Sequence, residues 1–185
     1  CLPLRLPAAT FTVATTGDSG PGSFREAILN ANATGDLDTI QFLIQGTGPF
    51  SIAPNSPLPP LGSPVVVDAT TQPGYANQPL VELNGTGAGL GTVGLRVTGG
   101  DCTIRGLAIN RFSADGIRLD SSNNRIQGNR IGTDVTGTSA LGNGQFGIFV
   151  LGTATNVIGG TTAAERNVIA GRNDTGIYLL NARAN

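Results

Sequence analysis

The chain has 185 residues, which is enough for one well-buried domain and too short for two ordinary ones. Charged residues make up 12 %, the formal net charge is -1, and all 11 basic residues are arginine. The absence of histidine and lysine excludes histidine acid–base catalysis, histidine-ligated metals and a catalytic lysine. The near-neutral charge argues against a nucleic-acid partner, and no apolar run approaches the roughly 20 residues that span a bilayer.

The first part of the chain predicts a strand followed by a helix. Residues 11–15 alternate apolar and polar side chains, as in a half-buried strand. Ser23 and Glu26 have the spacing of a capping box, so a helix is predicted over residues 23–32. Its apolar residues fall on one face: Phe24, Ala27, Ile28 and Ala31. This helix is well placed to cap the first coil of a larger structure.

Beyond the helix, the sequence predicts short strands separated by proline and glycine turns, at residues 39–44, 50–52 and 65–67. The remainder contains an internal repeat. A Gly-apolar-x-apolar tetrapeptide recurs at residues 94–97, 116–119, 147–150 and 176–179. A second motif, Asn-x-Ile-x-Gly, recurs at residues 124–128, 156–160 and 167–171.

This repeat predicts a parallel β-solenoid, because one coil cannot bury its apolar side alone and coils stack about 4.8 Å apart. Stacked asparagines are expected to form hydrogen bonds between coils, and Cys102 is expected to be a small buried side chain. Residues 1–10 form an N-terminal arm, residues 11–62 a cap with helix 23–32, and residues 63–185 the coils, in one continuous domain. An antiparallel β-sandwich with a coincidental repeat is the alternative.

Two segments carry a resemblance to a known family: Asp-Ser-Gly-Pro-Gly-Ser-Phe-Arg-Glu-Ala-Ile at 18–28 and Asp-Ala-Thr-Thr-Gln-Pro-Gly-Tyr at 68–75. They resemble bacterial secreted right-handed parallel β-helix proteins with a CSLREA-type N-terminal cap segment, and the likeness covers nearly all of residues 11–185. The resemblance implies an all-β, right-handed parallel β-helix with one N-terminal capping helix. It also implies an extracellular or cell-surface location, often without known activity.

Acidic residues are the candidates for a catalytic site, because parallel β-helices include polysaccharide-cleaving enzymes. Glycoside hydrolysis needs two carboxylates about 5–10 Å apart. The acidic candidates are Asp115, Asp120, Asp134 and Asp174, and each stands among turn-forming residues. Arg118 or Arg130, near Asp120, is the nearest match to the basic residue of a lyase. We expect corner aspartates, and predict no catalytic residue, no metal and no cofactor.

If the repeated apolar positions point inward, their neighbours form outward columns along the coils. One column is predicted to contain Arg96, Arg118, Phe149 and Tyr178. The next contains Thr98, Asp120, Leu151 and Leu180. The last two coils therefore present apolar side chains outward, unless a loop over residues 134–145 covers them.

Residues 1–10 offer a partner for that apolar surface, because Leu2, Leu4 and Leu6 alternate like a strand with one apolar face. Residues 181–185 fall in the middle of a predicted coil, so the chain is expected either to be truncated there or to be covered by another subunit. The hypothesis is that the N-terminal arm docks on a neighbouring copy and that copies join head to tail. The predicted assembly interface is Leu2, Leu4, Leu6, Phe149, Leu151, Tyr178 and Leu180. The alternative is a monomer whose arm lies along its own solenoid. Whether Cys1 carries a lipid or a disulfide stays open.

The sequence therefore predicts a non-enzymatic extracellular structural protein whose partners are copies of itself, forming a filament, surface layer or adhesive fibre. The alternative is a secreted protein that binds or cleaves extracellular polysaccharide. Its groove would run along Arg96, Arg118, Phe149 and Tyr178, where arginine and aromatic side chains stack on sugars or pair with uronates.

Overall fold

The computed structural model describes residues 8–170 and 175–183. Within these residues the chain forms fifteen short strands and one α-helix, α1, at Phe24–Thr34. The strands are β1 Thr10–Val13, β2 Asp38–Phe42, β3 Phe50–Ile52, β4 Val65–Asp68, β5 Val81–Asn84, β6 Leu95–Val97, β7 Thr103–Arg105, β8 Leu107–Asn110, β9 Ile117–Leu119, β10 Arg125–Gln127, β11 Arg130–Ile131, β12 Ile148–Leu151, β13 Val157–Ile158, β14 Val168–Ile169 and β15 Ile177–Leu180. Short 3-10 turns lie at Ala69–Thr71, Gly85–Gly87 and Ala163–Glu165.

The strands form three parallel sheets that the chain visits in rotation. Sheet 1 has the order β1-β2-β4-β7-β10-β13, sheet 2 the order β14-β11-β8-β5-β3, and sheet 3 the order β15-β12-β9-β6. From β4 onward the chain passes from sheet 1 to sheet 2 to sheet 3 and returns, four times over. The architecture is an all-β, parallel, solenoid-like fold with one helix. The pairings between these strands are parallel, which rules out the antiparallel β-sandwich.

The register of the predicted repeat is confirmed. Leu95 pairs with Ile117, Ile117 with Ile148, and Ile148 with Ile177 along sheet 3. In sheets 1 and 2, Ile104 pairs with Ile126 and Ile109 with Ile131. The inward side chains therefore lie in columns, as the sequence predicts, and one core cluster extends from the cap to the coils.

Buried asparagines at the corners join successive coils, as the sequence also predicts. Asn124 accepts a hydrogen bond from the backbone N–H of Cys102 at 3.0 Å, and its own N–H donates to Asn156 Oδ1 at 3.0 Å. Asn129 accepts from the N–H of Leu107 at 3.1 Å and donates to the carbonyl of Ile104 at 2.9 Å. These side chains bond to backbone N–H and C=O groups that have no partner in a sheet at the corners. A buried backbone group without a hydrogen bond would destabilise the fold.

Cys102 is fully buried, as predicted, and burial raises the pKa of its thiol to about 11. At neutral pH it is therefore an unreactive, protonated side chain. Cys1 lies outside the described residues, so its chemistry stays a prediction.

The helix α1 differs from its predicted bounds at both ends. Ser23 is the N-cap and accepts from the N–H of Glu26 at 3.2 Å, while Glu26 reaches back to the N–H of Gly22 at 2.8 Å. The helix continues to Thr34, two residues beyond its predicted end, because Gly35 takes the left-handed conformation that ends it. Its buried face is the predicted one: Phe24, Ala27, Ile28 and Ala31.

The helix packs on β1 and β2, the two strands at the N-terminal end of sheet 1. The ring centroids of Phe24 and Phe42 are 5.5 Å apart. The strand bounds also move slightly, since β1 ends at Val13 and β2 at Phe42. The predicted strand extends to Ile44, but the N–H of Ile44 donates to the side chain of Gln72 and not to a backbone carbonyl of a neighbouring strand.

We expect that Asn129→Ala will lower the free energy of unfolding by about 2–4 kcal/mol, because it removes the side-chain acceptor of the buried N–H of Leu107 and a donor to the carbonyl of Ile104. Urea unfolding followed by circular dichroism would measure this. Asn55→Ala, at an exposed loop position, is the matched control and is expected to change the value by less than about 0.5 kcal/mol. Equal effects of the two variants would contradict a stabilising role for the corner asparagines.

Candidate functional site

The structure brings the predicted outward column together on the outer face of sheet 3. Arg96 pairs in register with Arg118, Arg118 with Phe149, and Phe149 with Tyr178. Neighbouring parallel strands lie about 4.8 Å apart, so each of these side chains is within contact distance of the next. We call these four residues the sheet-3 column.

An aromatic residue that the sequence pattern did not predict completes this surface. The ring of Phe146 stacks on Tyr178 with centroids 4.7 Å apart and an interplanar angle of 20°, and it lies 5.5 Å from Phe149. The guanidinium carbon of Arg118 lies 5.0 Å from the centre of the Phe149 ring. Phe146 directly precedes the repeated tetrapeptide, so no recurring position marked it. Its aromatic type beside Phe149 was the only available signal.

Asp120 links the two arginines of the column. Its carboxylate accepts from Arg96 Nε at 2.6 Å and from Arg118 Nε at 2.8 Å. Burial raises the pKa of Asp120, but the hydrogen bonds and charges of Arg118 and Arg96 outweigh burial and hold the pKa below its ordinary value. Asp120 and the two arginines of the column therefore form an ionised Arg–Asp–Arg network.

The other candidate acids have local structural contacts. Asp115 is buried and accepts from the backbone N–H of Phe146 at 3.3 Å, and burial raises its pKa. Asp134 accepts from Thr136 Oγ1 and from the N–H of Thr138 within its own exposed turn. Asp174 lies outside the described residues. Within the described part of the chain no group of three or more Cys, Asp or Glu side chains is placed to hold a metal ion.

The C-terminal end of the stack exposes side chains that face the core elsewhere. On β12, Ile148 and Val150 are fully buried, but their register partners on β15, Ile177 and Leu179, are 41 % and 51 % exposed. The strands β13, β14 and β15 are the last of their sheets among the described residues. We call these three strands the open end.

The outward side chains of the last strands are also accessible. Tyr178 and Leu180 on β15 are exposed, while Phe149 and Leu151 on β12 are half-buried. In the loop over residues 134–145, the backbone carbonyl of Leu141 accepts from the N–H of Arg111 at 3.2 Å. That this loop covers the apolar side chains stays a prediction. The other predicted interface residues, Leu2, Leu4 and Leu6, lie outside the described residues.

The chain matches no protein-family model, and no curated protein is significantly similar to it. The resemblance to β-helix proteins with a CSLREA-type cap therefore stays a prediction. Among the described residues, no helix is long and apolar enough to cross a membrane.

Asp120 and Asp115 are expected to respond oppositely when their charge is removed. The lowered pKa of Asp120 means that its ionised form stabilises the fold above the ordinary pKa of about 3.9, and that this stabilisation is lost as the pH falls through the lowered pKa. The raised pKa of Asp115 means that its ionisation, as the pH rises through the raised pKa, destabilises the fold.

At pH 7 we therefore expect Asp120→Asn to lower the free energy of unfolding by about 1 kcal/mol and Asp115→Asn to raise it. The Asp115→Asn difference shrinks toward zero as the pH falls below about 3.9, because that carboxyl is then protonated in both the folded and the unfolded chain. The Asp120→Asn difference is lost only as the pH falls through the lowered pKa of the folded state. Urea unfolding across a pH series from 7 downward checks both. Effects of the same sign at pH 7 would show that the two environments are wrongly assigned.

Proposed function

We propose that the protein is a non-enzymatic, extracellular structural subunit, a right-handed parallel β-helix that assembles with copies of itself into a filament or surface fibre. The observation that carries this proposal is the exposed apolar surface of the open end. Ile177 and Leu179 on β15 are exposed, although their register partners on β12, Ile148 and Val150, are fully buried.

Open strand edges and exposed apolar side chains favour association. The edges of β13, β14 and β15 present backbone groups for pairing with a further strand. Several exposed apolar side chains lie beside those edges: Val157, Ile177, Tyr178, Leu179 and Leu180. Apolar area of this kind stabilises an interface by roughly 25 cal/mol per Å² removed from water. A second copy is the occupant to which the proposal commits.

The two ends differ, which limits how copies can join. The helix α1 packs against β1 and β2, so a second copy cannot stack its first coil directly on the open end. The connecting element is instead the segment before β1, which contains Leu2, Leu4 and Leu6. Pro3 and Pro7 in this segment lack a backbone N–H, so they suit an edge strand, which forms ladder hydrogen bonds on one side only. Because the two contacting surfaces differ, the contact is heterologous and leads to an open polymer unless it closes into a ring.

Two further features support the proposal. A crossover between parallel strands of one sheet is right-handed in about 98 % of cases, which favours a right-handed β-helix. Two of the candidate acidic side chains are engaged in an ion pair or a turn: Asp120 pairs with two arginines, and Asp134 accepts from Thr136 and Thr138. The extracellular location is supported by the resemblance alone.

We expect Leu179→Asp to abolish assembly, because it places a charge in the proposed interface. Deletion of residues 1–7 is expected to have the same effect while sparing Ala9, which bonds to Asp38. Light scattering after size-exclusion chromatography and negative-stain electron microscopy across a dilution series would measure the polymer. Circular dichroism would confirm that the β-structure is retained.

The matched control is Leu90→Asp, which introduces the same charge at a leucine that is 99 % exposed on a loop. Polymers are expected to persist in this variant. A wild-type protein that stays monomeric at every concentration would overturn the proposal. Polymers that survive both Leu179→Asp and the deletion would overturn the interface.

Polysaccharide binding is the second candidate function, and the aromatic stack of Phe146 and Tyr178 favours it. Because Asp120 pairs with both Arg96 and Arg118, stacking on sugar rings would contribute more than charge at this column. The column favours binding over cleavage, since the acids near it have structural partners.

For this second candidate, Tyr178→Ala is expected to weaken binding of neutral oligosaccharides about tenfold, since each stacked ring contributes about 1 kcal/mol or more. A glycan array followed by calorimetry would measure it. The control is Leu90→Ala, at an exposed loop leucine outside the column. Unchanged binding in Tyr178→Ala would exclude the column as a glycan site.

A further inference from the structure

A groove lies at the corner between sheet 1 and sheet 2, on a different part of the surface from the sheet-3 column. Two connections at this corner are tight, with Gly106 between β7 and β8 and Gly128 within the turn between β10 and β11. The connections on either side are long, covering residues 69–80 between β4 and β5 and residues 159–167 between β13 and β14. The tight corners form the floor and the long loops form the two walls.

The glycines allow these loops to lie close to the floor. A Cβ on Gly106 would lie 2.8 Å from the backbone nitrogen of Thr70, and a Cβ on Gly128 would lie 2.6 Å from the carbonyl oxygen of Ala164. Both glycines also have positive φ, of 76° and 65°. Any other residue would push the walls away and strain the corner.

The groove contains two adjoining cavities. The smaller has a volume of about 40 Å³, and Arg130 and Arg166 are among its lining residues. The larger has a volume of about 310 Å³, near the lower limit of about 300 Å³ for small-molecule sites. Both cavities share four lining residues and are therefore continuous: Tyr75, Asn77, Gly128 and Ala164.

The charges of the groove are unbalanced toward the positive. Arg105 is paired with Asp68 at 2.5 Å, and Glu165 accepts from the N–H groups of its own turn. Arg130 and Arg166 form no ion pair with the described residues. The smaller cavity therefore contains two arginines whose charges have no acidic partner in the described part of the chain.

Arg130 carries the most specific signal. Its Nε is buried and has no hydrogen-bond acceptor among the described residues. A buried donor without a partner is costly and is rare in native structures. Gly137 packs directly against the guanidinium and leaves no room for a side chain there. The guanidinium is thus held in place beside the cavity, where an oxyanion would neutralise its charge.

Tyr75 supplies an aromatic ring at the junction of the two cavities. The ring is half-buried. Burial raises the pKa of its hydroxyl, the charge of Asp68 raises it further, and the charges of Arg130 and Arg105 oppose them. The Tyr75 side chain is therefore neutral at physiological pH and lies near Arg130 and Arg105. A neutral tyrosine combines an apolar face, which packs on a sugar ring, with a hydroxyl for hydrogen bonding.

We propose that this corner groove binds a carboxylate-bearing saccharide, with the carboxylate at Arg130 and Arg166 and the sugar ring against Tyr75. The smaller cavity exceeds the roughly 10–15 Å³ that one water needs, and its two arginines match a carboxylate in charge. The adjoining larger cavity accommodates the ring. This site does not depend on self-assembly, and either proposal can fail without the other.

The test is isothermal titration calorimetry of the full chain with a galacturonate trimer, with a galactose trimer and sodium sulfate as comparison ligands. The galacturonate trimer is expected to bind one per chain and the galactose trimer at least tenfold more weakly. Arg130→Gln is expected to weaken galacturonate binding about tenfold or more, the loss typical of a hydrogen bond to a charged group. Tyr75→Leu is expected to weaken it severalfold.

The charge-matched control is Arg111→Gln, at a partly exposed arginine that pairs with Glu82 away from the groove, and it is expected to leave binding unchanged. Should Arg130→Gln fail to fold, the exposed Arg166→Gln and Tyr75→Leu decide the question. Sulfate binding as tightly as galacturonate would overturn the saccharide assignment. Unchanged affinity in folded Arg130→Gln, or loss in Tyr178→Ala instead of Tyr75→Leu, would overturn the groove as the site.

Discussion

Each coil of this protein buries its apolar side only against the coils above and below it, and the rest of the structure depends on that stacking. Ile117 and Ile148 are fully buried because each has a neighbour on both sides. Ile177 has the same side chain in the same column and is 41 % exposed. Burial is therefore a property of position in the stack, and the ends are where stability and association compete.

The corners impose a second requirement, which is a hydrogen-bond partner for each buried backbone group. Where the chain turns inside the core, these groups leave the sheets and lose their partners there. Buried asparagines meet it by bonding across coils, with Asn124 accepting from the N–H of Cys102 and bonding to Asn156. This explains why Asn-x-Ile-x-Gly recurs in the sequence: the asparagine satisfies the corner and the isoleucine fills the core. The two ladders through Asn124 and Asn129 continue along the stack, so adjacent coils are bound by polar as well as apolar contacts.

The sequence predicts the features of the structure that repeat from coil to coil. The tetrapeptide repeat predicts the register of Arg118 and Phe149, because inward and outward positions repeat with each coil. Features that occur once left no such signal. Phe146 precedes the repeat and stacks on Tyr178, and Asp120 bridges two arginines that belong to different coils. The corner groove was also missed, since it depends on the lengths of two loops that share no motif.

Those two loops lie where the solenoid tolerates irregularity. The sheets fix the length of each strand, because an inserted residue would turn the inward column outward. A corner can extend without disturbing the columns, provided that the adjacent corners stay tight. Gly106 and Gly128 keep them tight, at φ values and approach distances that a side chain would oppose. Recognition chemistry can therefore accumulate on the long loops while the core remains periodic, and this separates the groove from the surfaces that join one copy to the next.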